Sequence, residues 1–280
     1  METQILKIKH QLLVITVTFT GMAFNSCAQE NCYPTQLPQA ALSNKTEYQY
    51  LVETDYISYD IYGNFTSKMR FSGTYTSGLE GGMVEWSNVH AANLYTEEAE
   101  FPYGDSLTFM NGFRYSYEQD ITVPEFFSSF PPDAVNARNL VWDMAGMEYF
   151  GWGFNNVLQL NEPYKANEAN GNVELAGLGN FENRNIVLNW KGMTEDQGNR
   201  LAIIDFRTMN NPLNIDVDMG NMHMVTKGRS HYWGTIWIDC DRICFDHIEL
   251  FEDVVMEMTI GLSEKQLLDV VREMKVTKIY

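Results

Sequence analysis

Residues 47–78 read EYQYLVETDYISYDIYGNFTSKMRFSGTYTSG. Tyr, Thr, Phe and Ile crowd it, and Gly63, Gly73 and Gly78 cut it into short runs. β-Branched and aromatic side chains suit a pleated surface, and glycines between such runs mark turns, so the stretch predicts antiparallel strands joined as hairpins. The following runs, MVEWSNVHAANLYTEEAEF at 83–101 and SLTFMNGFRYSYEQDI at 106–121, continue in the same style.

The centre of the chain changes character. Pro131 and Pro132 break any regular element before it. After them Ala134, Ala137, Leu140, Val141, Met144 and Met147 fall three and four residues apart, which predicts a helix that Gly151 can end. Tyr149, Phe150, Trp152 and Phe154 follow as an aromatic group, read either as core or as the floor of a ligand site. The Asn- and Gly-rich run at 161–184 reads as a loop or an excursion. Strand patterns return at Ile186, Leu188 and Trp190, at Leu201 to Phe206, and at Gly234 to Asp239, which pairs through a turn at Cys240 with Ile243 to Phe251. Met256, Met258 and Ile260 alternate with Glu257 and Thr259, as a half-buried strand does. Near the end, Ser263 and Gln266 match a capping box, and Leu267, Val270, Val271 and Met274 form a stripe, so a C-terminal helix is predicted. The fold expected is mainly antiparallel β, a curved sheet or incomplete barrel with a central helix and a C-terminal helix. That layout resembles, in style only and without a residue motif, bacterial periplasmic lipid- or lipoprotein-carrier folds.

The N-terminus has its own signature. Lys7 and Lys9 precede the apolar run LLVITVTFTGMAF and the small-residue exit NSCAQE, which is the pattern of a secretory signal over 1–28. Residues 29–46, with Pro34 and Pro38, read as a tether or irregular cover, and 47–280 as a single β-rich domain with a central helical insertion. Two processing readings stand side by side: cleavage after Ala28, or lipidation of Cys27 at a lipobox in which Phe24 replaces the usual aliphatic residue. The expected location is therefore the periplasm, the outer membrane by a tether, or the exterior of a Gram-negative bacterium, with membrane contact only if Cys27 is acylated. In such a compartment Cys240 and Cys244, flanking Asp241 and Arg242, read as a local disulfide, with unpaired core thiols or a zinc set including His247 as alternatives.

Composition excludes some functions. Of 280 residues, 45% are hydrophobic and 20% charged, enough to build a core. Thirty-seven acids against 19 bases leave a net charge of −18, which repels phosphate backbones and argues against nucleic acid as a partner. There is no G-x-S-x-G elbow, H-E-x-x-H helix, P-loop or G-x-G-x-x-G turn. The sequence assigns no catalytic residue, metal or cofactor. Asp216 and Asp218, in a run with Asn221 and His223, could offer oxygen ligands, but Met219 stands where a calcium loop needs another donor, so a solvated strand face or turn is the plainer reading.

The most unusual chemistry lies in TKGRSHYWGTIWIDCDR, where Arg229 and His231 accompany Trp233 and Trp237 in an acidic chain. Stacking surface beside cationic groups suits recognition of a ligand with a polar end. The candidate ligand-binding set is thus Tyr149, Trp152, Arg229, His231, Trp233 and Trp237. The leading functional reading is an exported noncatalytic binding protein for an apolar or amphipathic small molecule, a glycan or an envelope partner. The alternatives are a carbohydrate-active hydrolase using paired carboxylates, with Asp143 and Asp205 as the pair, and a structural envelope interaction protein.

Overall fold

The computed structural model describes residues 36–38, 46–97, 99–219, 222–262 and 264–279. The signal segment 1–28, Cys27, and all of the 29–46 segment except 36–38 and 46 lie outside the described residues, as do Ser263 and Asn221. One large sheet dominates. Its strands are β1 (Tyr48–Asp60), β2 (Phe65–Leu79), β3 (Met83–Leu94), β4 (Asp105–Ser106), β5 (Phe113–Ser116), β6 (Tyr164–Lys165), β7 (Gly171–Glu174), β8 (Gly179–Asn183), β9 (Val187–Asp196), β10 (Asn199–Arg207), β11 (Asn211–Met219), β12 (Met222–Asp239), β13 (Cys244–Ile260) and β14 (Gln266–Ile279). Helix α1 (Val135–Trp152) lies against one face.

The sheet runs β4-β3-β2-β1-β14-β13-β12-β10-β9-β6 through antiparallel ladders. At β12 it forks. The first half of that long strand pairs β11, from Met219↔Met222 to Asn211↔Ser230, and its second half pairs β10, from Arg207↔Trp233 to Leu201↔Asp239. β8 and β7 extend the β11 branch.

Local chemistry explains the hairpins. Between β1 and β2, Asp60 Oδ1 accepts from the backbone N–H of Tyr62 and of Asn64, and Gly63 takes φ +80°. A short acidic side chain that caps its own turn and a glycine at positive φ fix the reversal. Between β12 and β13, Asp239 Oδ1 accepts from the N–H groups of Asp241 and Arg242 in the same way.

Alternation then sorts the side chains. Along β12 the even-numbered Tyr232, Ile236 and Ile238 are buried toward α1, while the odd-numbered Arg229, His231, Trp233 and Trp237 stand on the opposite face. α1 buries Ala137, Leu140, Val141, Met144, Met147 and Phe150 against the sheet. Trp86, Trp190, Tyr75, Tyr115, Phe127 and Phe206 are the largest fully buried side chains, and each contributes roughly 1.5–3 kcal/mol by leaving water. Gly151 does not end the helix. It lets the helix touch β13, since a Cβ there would lie 2.5 Å from Phe245 Cε1.

The structure corrects several expectations. Among the described residues α1 is the single α-helix, and the sheet of 14 strands is open and uncurled, so neither an incomplete barrel nor a C-terminal helix forms. Residues 266–279 are β14, placed between β1 and β13. Their apolar residues satisfy a period of two as well as a helical one: Leu268, Val270, Met274 and Val276 line the helix-bearing face. Two open ladders, each offering a row of backbone partners, outweigh an isolated helix of this length. The expected disulfide is also absent, because Cys240 and Cys244 are free thiols. Cys244 is buried near Lys278, with its Sγ 3.6 Å from Nζ, and Cys240 turns toward the Ile238 carbonyl.

Candidate functional site

α1 is shorter than the strands it crosses. Beyond it, the inner face of β11 to β14 continues with Leu213, Ile215, Met224, Val254, Met256, Met258, Leu268 and Val270, and Met69 of β2 joins them. All but Val254 remain partly exposed, because no second helix among the described residues covers them. They help form a cleft of about 2590 Å³ that extends along α1 to Tyr115, Tyr117 and Trp152. Unbranched thioether side chains adapt to ligands of varied shape, so four methionines on one wall make a plastic apolar surface.

Two buried polar groups interrupt this wall. In the first, Arg272 of β14 places Nη1 2.6 Å from Asp143 Oδ2 on α1 and Nε 2.7 Å from Glu252 Oε2 on β13, the second an ion pair whose N–H points off the line to the oxygen. Ser230 donates to Glu252 Oε1, Asn139 donates to the Tyr56 hydroxyl, and the guanidinium lies 5.8 Å from the Tyr56 ring centre. Burial pushes the Asp143 carboxyl up to about 6, and Arg272 works against that rise. Two acids share one base here.

The second group is Glu148 of α1, 5% exposed. Tyr75 donates to its Oε1 at 2.8 Å and Tyr117 to the same oxygen at 2.6 Å. Burial pushes this carboxyl up to about 7, and the two phenols offset only part of the shift. Tyr115, 1% exposed, also lines the cleft, with its hydroxyl beside the Trp86 indole and the Tyr75 hydroxyl.

The six residues singled out in the sequence do not meet. Tyr149 and Trp152 belong to α1 and line the cleft, with Trp152 stacked on Phe245 at 4.9 Å. Arg229, His231, Trp233 and Trp237 share the other face of the sheet. There Arg229 donates to Asn210 Oδ1 at 2.5 Å, and His231 Nδ1 accepts from the Asn210 N–H. Trp233 stacks on Phe251 at 6.1 Å and Trp237 on His247 at 3.9 Å. These cross-strand pairs stabilise the ladder between β12 and β13. Asp143 and Asp205 are likewise separated: Asp143 faces α1's core, while Asp205 pairs with Lys191 and Thr235 among the outward positions of β9, β10 and β12.

His223 bridges Asp216 at 3.3 Å and Asp218 at 2.9 Å in an exposed hairpin. Among the described residues no group of three or more His, Cys, Asp or Glu is placed to hold a metal ion.

Sequence reading marks Met256 and Met258 as one face of a half-buried strand, but not the Arg272 cluster or the uncovered inner face. The available signal was the run of alternating apolar residues through 254–260 and 268–276. No protein-family model matches the chain, and no curated protein matches it.

Proposed function

We propose that the protein is a noncatalytic binding protein for an apolar or amphipathic small molecule, seated in the cleft beside α1. The observation that carries this reading is the uncovered, methionine-rich stretch of sheet formed by Met69, Met224, Met256, Met258, Leu268 and Val270. Exposed contiguous apolar surface is unfavourable in water and marks a binding surface. At about 2590 Å³ the cleft exceeds the roughly 300–1,000 Å³ of a drug-sized site, which suits a long-chain or multipart ligand. The buried polar group at Glu148 supplies a place for a head group. Paired-carboxylate hydrolysis loses its support, because Asp143 is engaged by Arg272 and Asp205 stands on the other face.

Titration with the neutral fluorophore N-phenyl-1-naphthylamine tests the reading. Saturable binding is expected, weakened at least roughly tenfold by Met256→Asp, since a charge placed on apolar contact surface must be desolvated. Binding that does not saturate, or that Met256→Asp leaves unchanged in a folded protein, would defeat it.

A further inference from the structure

We infer that the cleft selects an amphiphile whose head group is a cation, held against the free side of Glu148. This inference rests on the amphiphile reading above. Among the described residues that line the cleft, Arg272 is the one basic residue, and Asp143 and Glu252 already engage it. Glu118, Asp120, Asp133 and Glu148 add further carboxylates to the walls. An anionic head would therefore meet repulsion without a free base, and such an unmatched charge excludes a ligand as effectively as a clash.

Glu148 is the group best placed to receive a cation. Its neighbours are phenols: Tyr50 of β1, Tyr75 of β2, Tyr115 of β5 and Tyr117 just beyond it. Both hydroxyl donors go to Oε1, so Oε2 takes neither bond. The phenol rings around Glu148 attract a desolvated cation through their faces. An ammonium group would supply the positive charge that this buried carboxyl lacks, and would hold it ionised.

Calorimetric titration with dodecylammonium, dodecanoate and neutral monododecanoylglycerol, each below its micelle concentration, tests the inference. At pH 8.5 dodecylammonium should bind at least roughly tenfold tighter than dodecanoate, the size of one charge-assisted contact. Glu148→Gln should remove most of that preference. Asp205→Asn, which deletes one charge from the opposite face, should keep it and so controls for the overall charge of −18. Should Glu148→Gln not fold, the wild-type protein still decides. Its dodecylammonium affinity should fall from pH 8.5 to 6 as Glu148, up at about 7, takes a proton. Equal or tighter binding of dodecanoate, a preference that survives Glu148→Gln, or an affinity flat across that pH range overturns the cationic head group. Failure of all three probes to bind overturns the amphiphile reading itself, and this inference with it.

Discussion

The inner face of the sheet has two halves built on the same strands. Under α1, β12 to β14 present Ile236, Ile248 and Val276, each 0% exposed. Farther along the same strands, Met224, Met256 and Val270 keep partial exposure. The alternation is the same in both halves, and so is the apolar chemistry. Only the cover differs: α1 ends, and nothing replaces it among the described residues. One half is fully buried, and the other keeps its apolar surface partly exposed. The Arg272 cluster sits at the seam, joining α1 through Asp143 to β13 through Glu252.

The largest effect should come from that seam. Arg272→Met leaves Asp143 and Glu252 buried without a counter-charge, and urea unfolding at pH 8 should show a loss of about 3–5 kcal/mol. A loss under about 1 kcal/mol would mean the two halves are not tied there.

Next comes a direct contrast between the halves. Met144→Ala, beneath α1, should cost about 2–5 kcal/mol through lost contacts and a cavity. Met256→Ala, on the uncovered half, should cost less than about 1 kcal/mol while weakening N-phenyl-1-naphthylamine binding severalfold. Equal stability losses would erase the distinction.

The smallest effect is a pH dependence. Glu148 is held at about 7 in the folded protein, above its ordinary value of 4.5. A carboxyl raised on folding stabilises the protein fully below its unfolded value, and that contribution is lost as pH rises through the folded value. Wild-type stability should thus decline between about pH 4.5 and 7, in part through Glu148. Glu148→Gln should flatten that decline by on the order of 1–3 kcal/mol, read from urea midpoints across the range.

Local elements were legible in the sequence where local chemistry decides them. The β1–β2 hairpin carries its own turn at Asp60 and Gly63, and α1 carries its own stripe from Ala134 to Met147. β14 was not legible, because Val270 and Met274 belong both to a helical stripe with Leu267 and Val271 and to an alternating row with Leu268 and Val276, and the deciding partners, β1 and β13, are remote. The site was hidden for the same reason. Arg272 meets Asp143 across 129 residues and Glu148 meets Tyr75 across 73, and no spacing rule reaches that far. On β12 the sequence grouped Arg229, His231, Trp233 and Trp237 by their nearness along the chain. It could not show that the sheet itself stands between them and Trp152.

The position of β14 also orders events in time. β1 is synthesised before every other strand of the sheet, yet one of its two ladders is completed by the strand made last. Throughout synthesis, β1 must therefore keep a row of amide and carbonyl groups bare, while β13 waits with its own. Such an edge is a template for pairing with another chain, and closing it last makes assembly slow and rich in long-range contacts. Arg70 bridges to Asp55 and Glu53 on β1, so charges already decorate the strand whose edge stays open longest.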